Sequence, residues 1–138
     1  MLSIAKRSIS AQGASKVLEA AHAKATAMGV PMCISITDET GDLKAFIRMD
    51  GAIKVAVDIS LNKAFTSAST GLATDQWYEF IKEDLPLLHG LTHTPRFVIF
   101  GGGVPLKEGD TVIGAIGVSG GHYSQDMEVA HAGAKVLA

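Results

Sequence analysis

Ala14, Val17, Leu18, Ala21, Ala25 and Met28 recur at the three- and four-residue spacings that line one helical face, with Lys16, Glu19, Ala20 and Ala23 elsewhere. This spacing predicts a first helix over residues 10–29, stopped by Gly29 and Pro31. Residues 32–37 and 43–49 are short apolar segments joined by Asp38-Glu39-Thr40-Gly41-Asp42, the composition of a hairpin turn. A second helix is expected over residues 53–70, with Ile53, Ala56, Val57 and Ala64 on one face. Val55 and Ile59 lie about 150–200° away around that helix. A helix apolar on two sides is covered twice, by its own sheet and by something else.

Further on, Thr74 is placed to cap a short helix over residues 75–82, which Pro86 prevents from continuing far. Residues 96–100 read as a third strand and residues 112–118 as a later one. Residues 104–107 pair between them through the Glu108-Gly109-Asp110 turn. Ser124 is the expected cap of a last helix, with Asp126 and Glu128 near its positive end. The order α-β-β-α-(short α)-β-β-β-α predicts an α/β (α+β) chain with a five-stranded antiparallel sheet and helices on its faces. Residues 1–138 form a single domain in this reading, without repeats or linkers.

Composition narrows the function classes. A chain of 138 residues, 47% apolar, can fill one core. With 19% charged residues and a net charge of −2 it has no basic stripe for nucleic-acid phosphates. Its apolar runs are far shorter than the roughly 20 residues of a membrane span. Met1-Leu2-Ser3-Ile4-Ala5-Lys6-Arg7 has no continuous apolar stretch behind its charges, so no secretory signal is read there. The single cysteine, Cys33, excludes an intrachain disulfide; together these features favour a cytoplasmic protein, and they also suit a processed extracytoplasmic one.

Eight of the fifteen glycines lie between Gly101 and Gly121: the run Gly101-Gly102-Gly103, then Gly109, Gly114, Gly117 and Gly120-Gly121. Glycine permits positive φ and lets a backbone, ligand or neighbouring subunit approach where a side chain would clash; tight turns and bulges are the plainer account. Ser119-Gly120-Gly121 leads into the last helix, where free amides could hold a carboxylate or phosphate, although the surroundings of a dinucleotide site are missing. His22 sits at the border of the first helix's apolar stripe, either as an amphipathic residue with a wet tip or as an imidazole able to ligate haem iron. Lys63 projects between Ala56, Ile59 and Ser67, where partial burial would lower its pKa and suit acid–base work or an anionic ligand; snorkelling is the alternative. Arg48 could fork a carboxylate or simply pair with Asp50. His89, His93, His122 and His131 have no supporting partners, and no catalytic triad or cysteine metal set is present.

Five blocks in order resemble the GlcG/HbpS-like family: Ile36-Thr37-Asp38-Glu39-Thr40-Gly41, Phe46-Ile47-Arg48-Met49-Asp50-Gly51, Asn62-Lys63-Ala64-Phe65-Thr66, Gly101-Gly102-Gly103-Val104-Pro105-Leu106 and Gly114-Ala115-Ile116-Gly117-Val118-Ser119-Gly120-Gly121. Gln125-Asp126 follows suit. The resemblance spans nearly the whole chain. It implies a profilin-like three-layer α/β/α fold, a homo-oligomer, and in some members a site for haem or a related tetrapyrrole. Related domains form the C-terminal part of PduO-type cobalamin adenosyltransferases. A first-helix histidine ligates haem in some members, and His22 is the matching residue. His122-Tyr123 and the third glycine, Gly103, depart from the pattern and could reshape a pocket mouth.

Two functions are therefore expected. The first is a small soluble oligomeric haem-binding protein, with His22 on the iron and Arg48 or Lys63 on the propionates. The alternative is a small enzyme or accessory factor of a catabolic pathway, acting on a carboxylated metabolite through Lys63, Arg48 and the amides of Ser119, Gly120 and Gly121. A third, purely structural reading leaves the glycines only to pack subunits together.

Overall fold

The structure, a computed structural model, describes residues 1–137. Helix α1 (Ala11–Met28) begins where Ser10 Oγ accepts from the Gly13 amide at 3.0 Å and ends at Gly29, whose φ of 71° closes the last turn. Strands β1 (Cys33–Asp38) and β2 (Leu43–Arg48) form the expected hairpin. Its turn is organised by Asp38, whose Oδ1 accepts from the Thr40 amide and hydroxyl and the Asp42 amide. Helix α2 (Ala56–Thr70) starts three residues later than its apolar pattern implies, leaving Ile53 and Val55 exposed before it. A 3₁₀ turn, Thr74–Gln76, runs into α3 (Trp77–Ile81), followed by α4 (Leu85–Gly90), β3 (Gly103–Glu108), β4 (Thr111–Ser119) and α5 (Tyr123–Ala134).

The strands form one antiparallel sheet in the order β2-β1-β4-β3. Alternation along each strand assigns its two faces. Ile34, Ile36, Ile116 and Val118 join the main core with Val17, Ala21, Ala25, Val129 and Ala130 of α1 and α5. Cys33, Ser35 and Ala115 point the other way, toward Ala56, Ser60 and Ala64 of α2. The sheet is thus covered on both sides.

Three local expectations change. Among the described residues the sheet has four strands, not five: residues 96–100 do not pair, because α2 takes up the backbone of that segment. Thr66 Oγ1 lies 3.0 Å from both the Arg96 carbonyl oxygen and the Val98 amide, and the Arg96 guanidinium stacks 3.8 Å from the Phe65 ring centroid. Arg96 also adopts φ 68°, which breaks an extended run. The cap of α5 is His122 rather than Ser124, its ring nitrogen accepting from the Ser124 amide at 3.2 Å. Thr74 does not cap; its hydroxyl accepts from the Gly103 amide at 2.9 Å and fixes the start of β3.

The glycine cluster mainly answers to protein backbone. A Cβ on Gly117 would overlap the Ser60 carbonyl oxygen and stand 2.5 Å from the Ala64 amide nitrogen. Small residues on both sides let α2 lie unusually close to β4, and this closeness sets the position of Lys63.

Candidate functional site

Lys63 occupies the sheet-facing side of α2 and is wholly buried, not partly so. Its Nζ donates to the Val118 carbonyl oxygen at 2.8 Å and to Asp126 Oδ2 at 2.9 Å. The second carboxylate oxygen of Asp126 accepts from the Gly121 amide at 2.9 Å. A loop, a strand end and two helices thereby converge on one ion pair at the C-terminal end of β4. Burial pushes the Lys63 ammonium below the ordinary lysine value, against the opposing pull of Asp126. Burial likewise pushes Asp126 up, against Lys63 and the Gly121 amide.

Glycines make room for this pair. At Gly102, with φ 132°, a Cβ would come 2.6 Å from Lys63 Nζ, and at Gly103 it would come 2.5 Å from the Lys63 carbonyl oxygen. The Phe100 ring centroid lies 5.0 Å from Nζ. Outside Phe100 opens a cleft of about 460 Å³, with Asp75, Tyr78, Glu79, Gly101 and Tyr123 among its walls.

Lys63, Gly102, Gly103 and Gly121 are therefore brought together, while Ser119 is buried opposite Cys33 and Gly120 is packed against Pro31 and Met32. The amides before α5 do not form an open anion cradle. Gly121 gives its proton to Asp126, His122 to Gln125 Oε1, and Ser124 to the His122 ring.

His22 and Arg48 lie apart from this pair and from each other. His22 is half-buried at the edge of α1, and its ring has no hydrogen-bond partner among the described residues. Arg48 is exposed on β2. Ala45, Ile47 and Met49 pack into the core under α1 and α5, so Arg48 projects from the opposite face, where a shallow cleft also contains Lys54, Val55 and Asp58. The chain thus places the sheet between Arg48 and the helix that carries His22.

The sequence reading missed Asp126 as the partner of Lys63. A signal was present: Asp126, Val129, Ala130 and Gly133 share one helical face, and all four are buried. Phe100, expected in a strand, instead covers the ammonium.

The model of the family described as Haem degrading protein HbpS-like matches residues 9–135. The chain belongs to the HbpS-like family. It is 40% identical over 124 residues to a 15.0 kDa protein encoded between dhaT and dhaS in Citrobacter freundii, covering 88% of this chain and 87% of that one. Among solved structures it is similar to Klebsiella pneumoniae protein ORFY, with TM-score 0.92 and 34% identity over 99% of this chain and 95% of that one. It is also similar to PduOC in complex with heme, with TM-score 0.83 and 27% identity over 94% and 95% of the two chains. These neighbours bear out the mixed α/β fold with an antiparallel sheet. No helix among the described residues is long and apolar enough to cross a membrane.

Proposed function

We propose that this HbpS-like chain is an oligomeric haem-binding protein in which His22 ligates the iron. The observation that carries the proposal is the half-buried His22 imidazole, which has no hydrogen-bond partner to give up among the described residues. Its likeness to the PduOC:heme complex supports the same reading. The described residues contain no cluster of three or more His, Cys, Asp or Glu that could hold a bare metal ion. Haem asks for less: its macrocycle brings four nitrogens of its own, and His22 would supply the imidazole that holds the iron.

The fit also limits the arrangement. Lys63 is buried behind Phe100 and its charge is already met by Asp126, so it is not a partner for propionates. Arg48 faces away from the layer containing α1, so an Arg48 that meets a propionate comes from a neighbouring copy. A haem on a surface helix leaves much apolar area in water until a second surface covers it, which is why oligomerisation belongs to the proposal. Ile53 and Val55, each 57% exposed just before α2, are apolar surface that a neighbour would cover. We place the protein in the cytoplasm, where the buried thiol of Cys33 stays reduced.

The alternative, an enzyme or accessory factor acting on a carboxylated metabolite, has less support. Asp75 and Glu79 in the cleft beside Lys63 repel a second carboxylate. The test is an absorbance spectrum and native mass before and after hemin addition. Saturable binding at a fixed stoichiometry per subunit with a histidine-ligated Soret band is expected; unsaturable adsorption would overturn the proposal.

A further inference from the structure

Lys63 Nζ has three N–H groups. Two are taken, by Val118 and Asp126, and the remaining side of the ammonium faces the Phe100 ring. That ring lines the 460 Å³ cleft, and Gly101 beside it adds no side chain to the wall. Gly102 lets Nζ pack directly against the backbone that follows Phe100, since a Cβ there would stand 2.6 Å from it. Phe100 is 44% exposed and belongs to residues 94–102, which lie outside helix and sheet, so turning the ring breaks few contacts. A buried lysine bonded to a buried acid, one aromatic ring away from a cleft, is an arrangement that structural ion pairs do not require.

We propose that Lys63 is an imine-forming amine for small neutral aldehydes, which reach it from this cleft when the Phe100 ring turns aside, with Asp126 holding and returning the proton. The 2.9 Å hydrogen bond lets the ammonium pass a proton to Asp126, leaving a neutral amine and a neutral acid. Burial favours both of those neutral forms. The nitrogen lone pair then attacks the carbonyl carbon; the C–N bond forms, the C=O π pair moves to oxygen, and one N–H proton passes to that oxygen, giving a carbinolamine. Asp126 returns its proton to the hydroxyl, water leaves, and an iminium remains beside the regenerated carboxylate. No oxidant or reductant is consumed.

The cleft selects the ligand class. Asp75 and Glu79 disfavour acids, while Tyr78, Phe100 and Tyr123 offer apolar walls to an uncharged body. The inference shares neither residue nor readout with haem binding at His22.

The test is reductive trapping with propanal and cyanoborohydride at about pH 7, where ordinary lysines with pKa of about 10.4 are almost entirely protonated. Peptide mapping should find Lys63 propylated ahead of the other lysines, since burial lowers its pKa and leaves a larger amine fraction at this pH. Phe100→Ala should accelerate this further, because it opens the path from the cleft to Nζ. Phe100→Ala removes an exposed ring, and circular dichroism checks its fold. An unmodified Lys63 in the wild type, with the surface lysines labelled, overturns the proposal. Labelling confined to Phe100→Ala would reveal a sealed structural amine and overturn it equally.

Discussion

Removing one member of the Lys63–Asp126 pair strands a buried charge. The two side chains are 1% and 3% exposed and 2.9 Å apart. At an effective dielectric of about 20, two unit charges at that distance attract by roughly 6 kcal/mol. Desolvation costs several kcal/mol per ion, so the intact pair comes close to breaking even. Asp126→Asn keeps the shape but leaves the ammonium without its countercharge, which should cost about 3–5 kcal/mol, a large share of a typical domain's stability. Lys63→Met strands the carboxylate, which can escape by protonating. Burial already raises Asp126, and removing Lys63 takes away the main charge opposing that rise. For an acid raised in the folded state, the native protein binds more protons between the unfolded and folded values, so stability increases as pH falls through that window. The cost of Lys63→Met should therefore shrink on acidification. In Lys63→Met/Asp126→Asn no stranded charge remains, and at least ~2 kcal/mol of the summed single costs should return. Urea unfolding followed by circular dichroism, with m unchanged, measures all three. Single costs below about 1 kcal/mol with no coupling would refute the reasoning.

Gly117→Ala should destabilise by about 1–3 kcal/mol or more, because the new methyl meets the backbone of α2 at Ser60 and Ala64; a thermal midpoint within a degree of wild type would contradict this. Burial raises Asp38, but hydrogen bonds from Thr40 and Asp42 outweigh it and hold the carboxyl below its ordinary value. The stability that Asp38 contributes is present above the unfolded value of about 3.9 and lost as pH falls through the folded one, so Asp38→Ala should flatten that part of the acid-unfolding profile. Light scattering at micromolar concentration should return a multiple of the chain mass, lowered by Val55→Asp; a sharp monomer mass insensitive to that change would rule out the oligomer.

Local periodicity was legible in the sequence because it follows from the backbone repeat. Ala14, Val17, Ala21 and Ala25 are wholly buried as their spacing requires, and His22 sits at the border where that stripe places it. The hairpin at Asp38-Glu39-Thr40-Gly41-Asp42 was legible from turn chemistry alone. Residues 96–100 were not, because their strand-like composition competes with a tertiary hydrogen-bond acceptor, Thr66, that only the fold supplies. The glycines announced close approach but not what approaches, which is mostly the carbonyl oxygens of Ser60, Thr37 and Val118. Lys63 and Asp126 are 63 positions apart on different helices, so their pairing depends on how α2 and α5 meet at the sheet's end. The same holds for Arg48 and His22, whose separation by the sheet depends on strand register.

The central claim is that His22 ligates haem, and the most direct measurement is a hemin titration of wild type and His22→Ala read by absorbance and by stoichiometry per subunit. Alanine keeps α1 intact, since it has the higher helix propensity. The wild type should show saturable binding with a histidine-ligated Soret band and a thermal midpoint that rises with hemin. His22→Ala should lose that band and bind about tenfold more weakly or worse, about 1.4 kcal/mol or more of binding free energy. An identical spectrum and affinity in the two proteins would contradict the account.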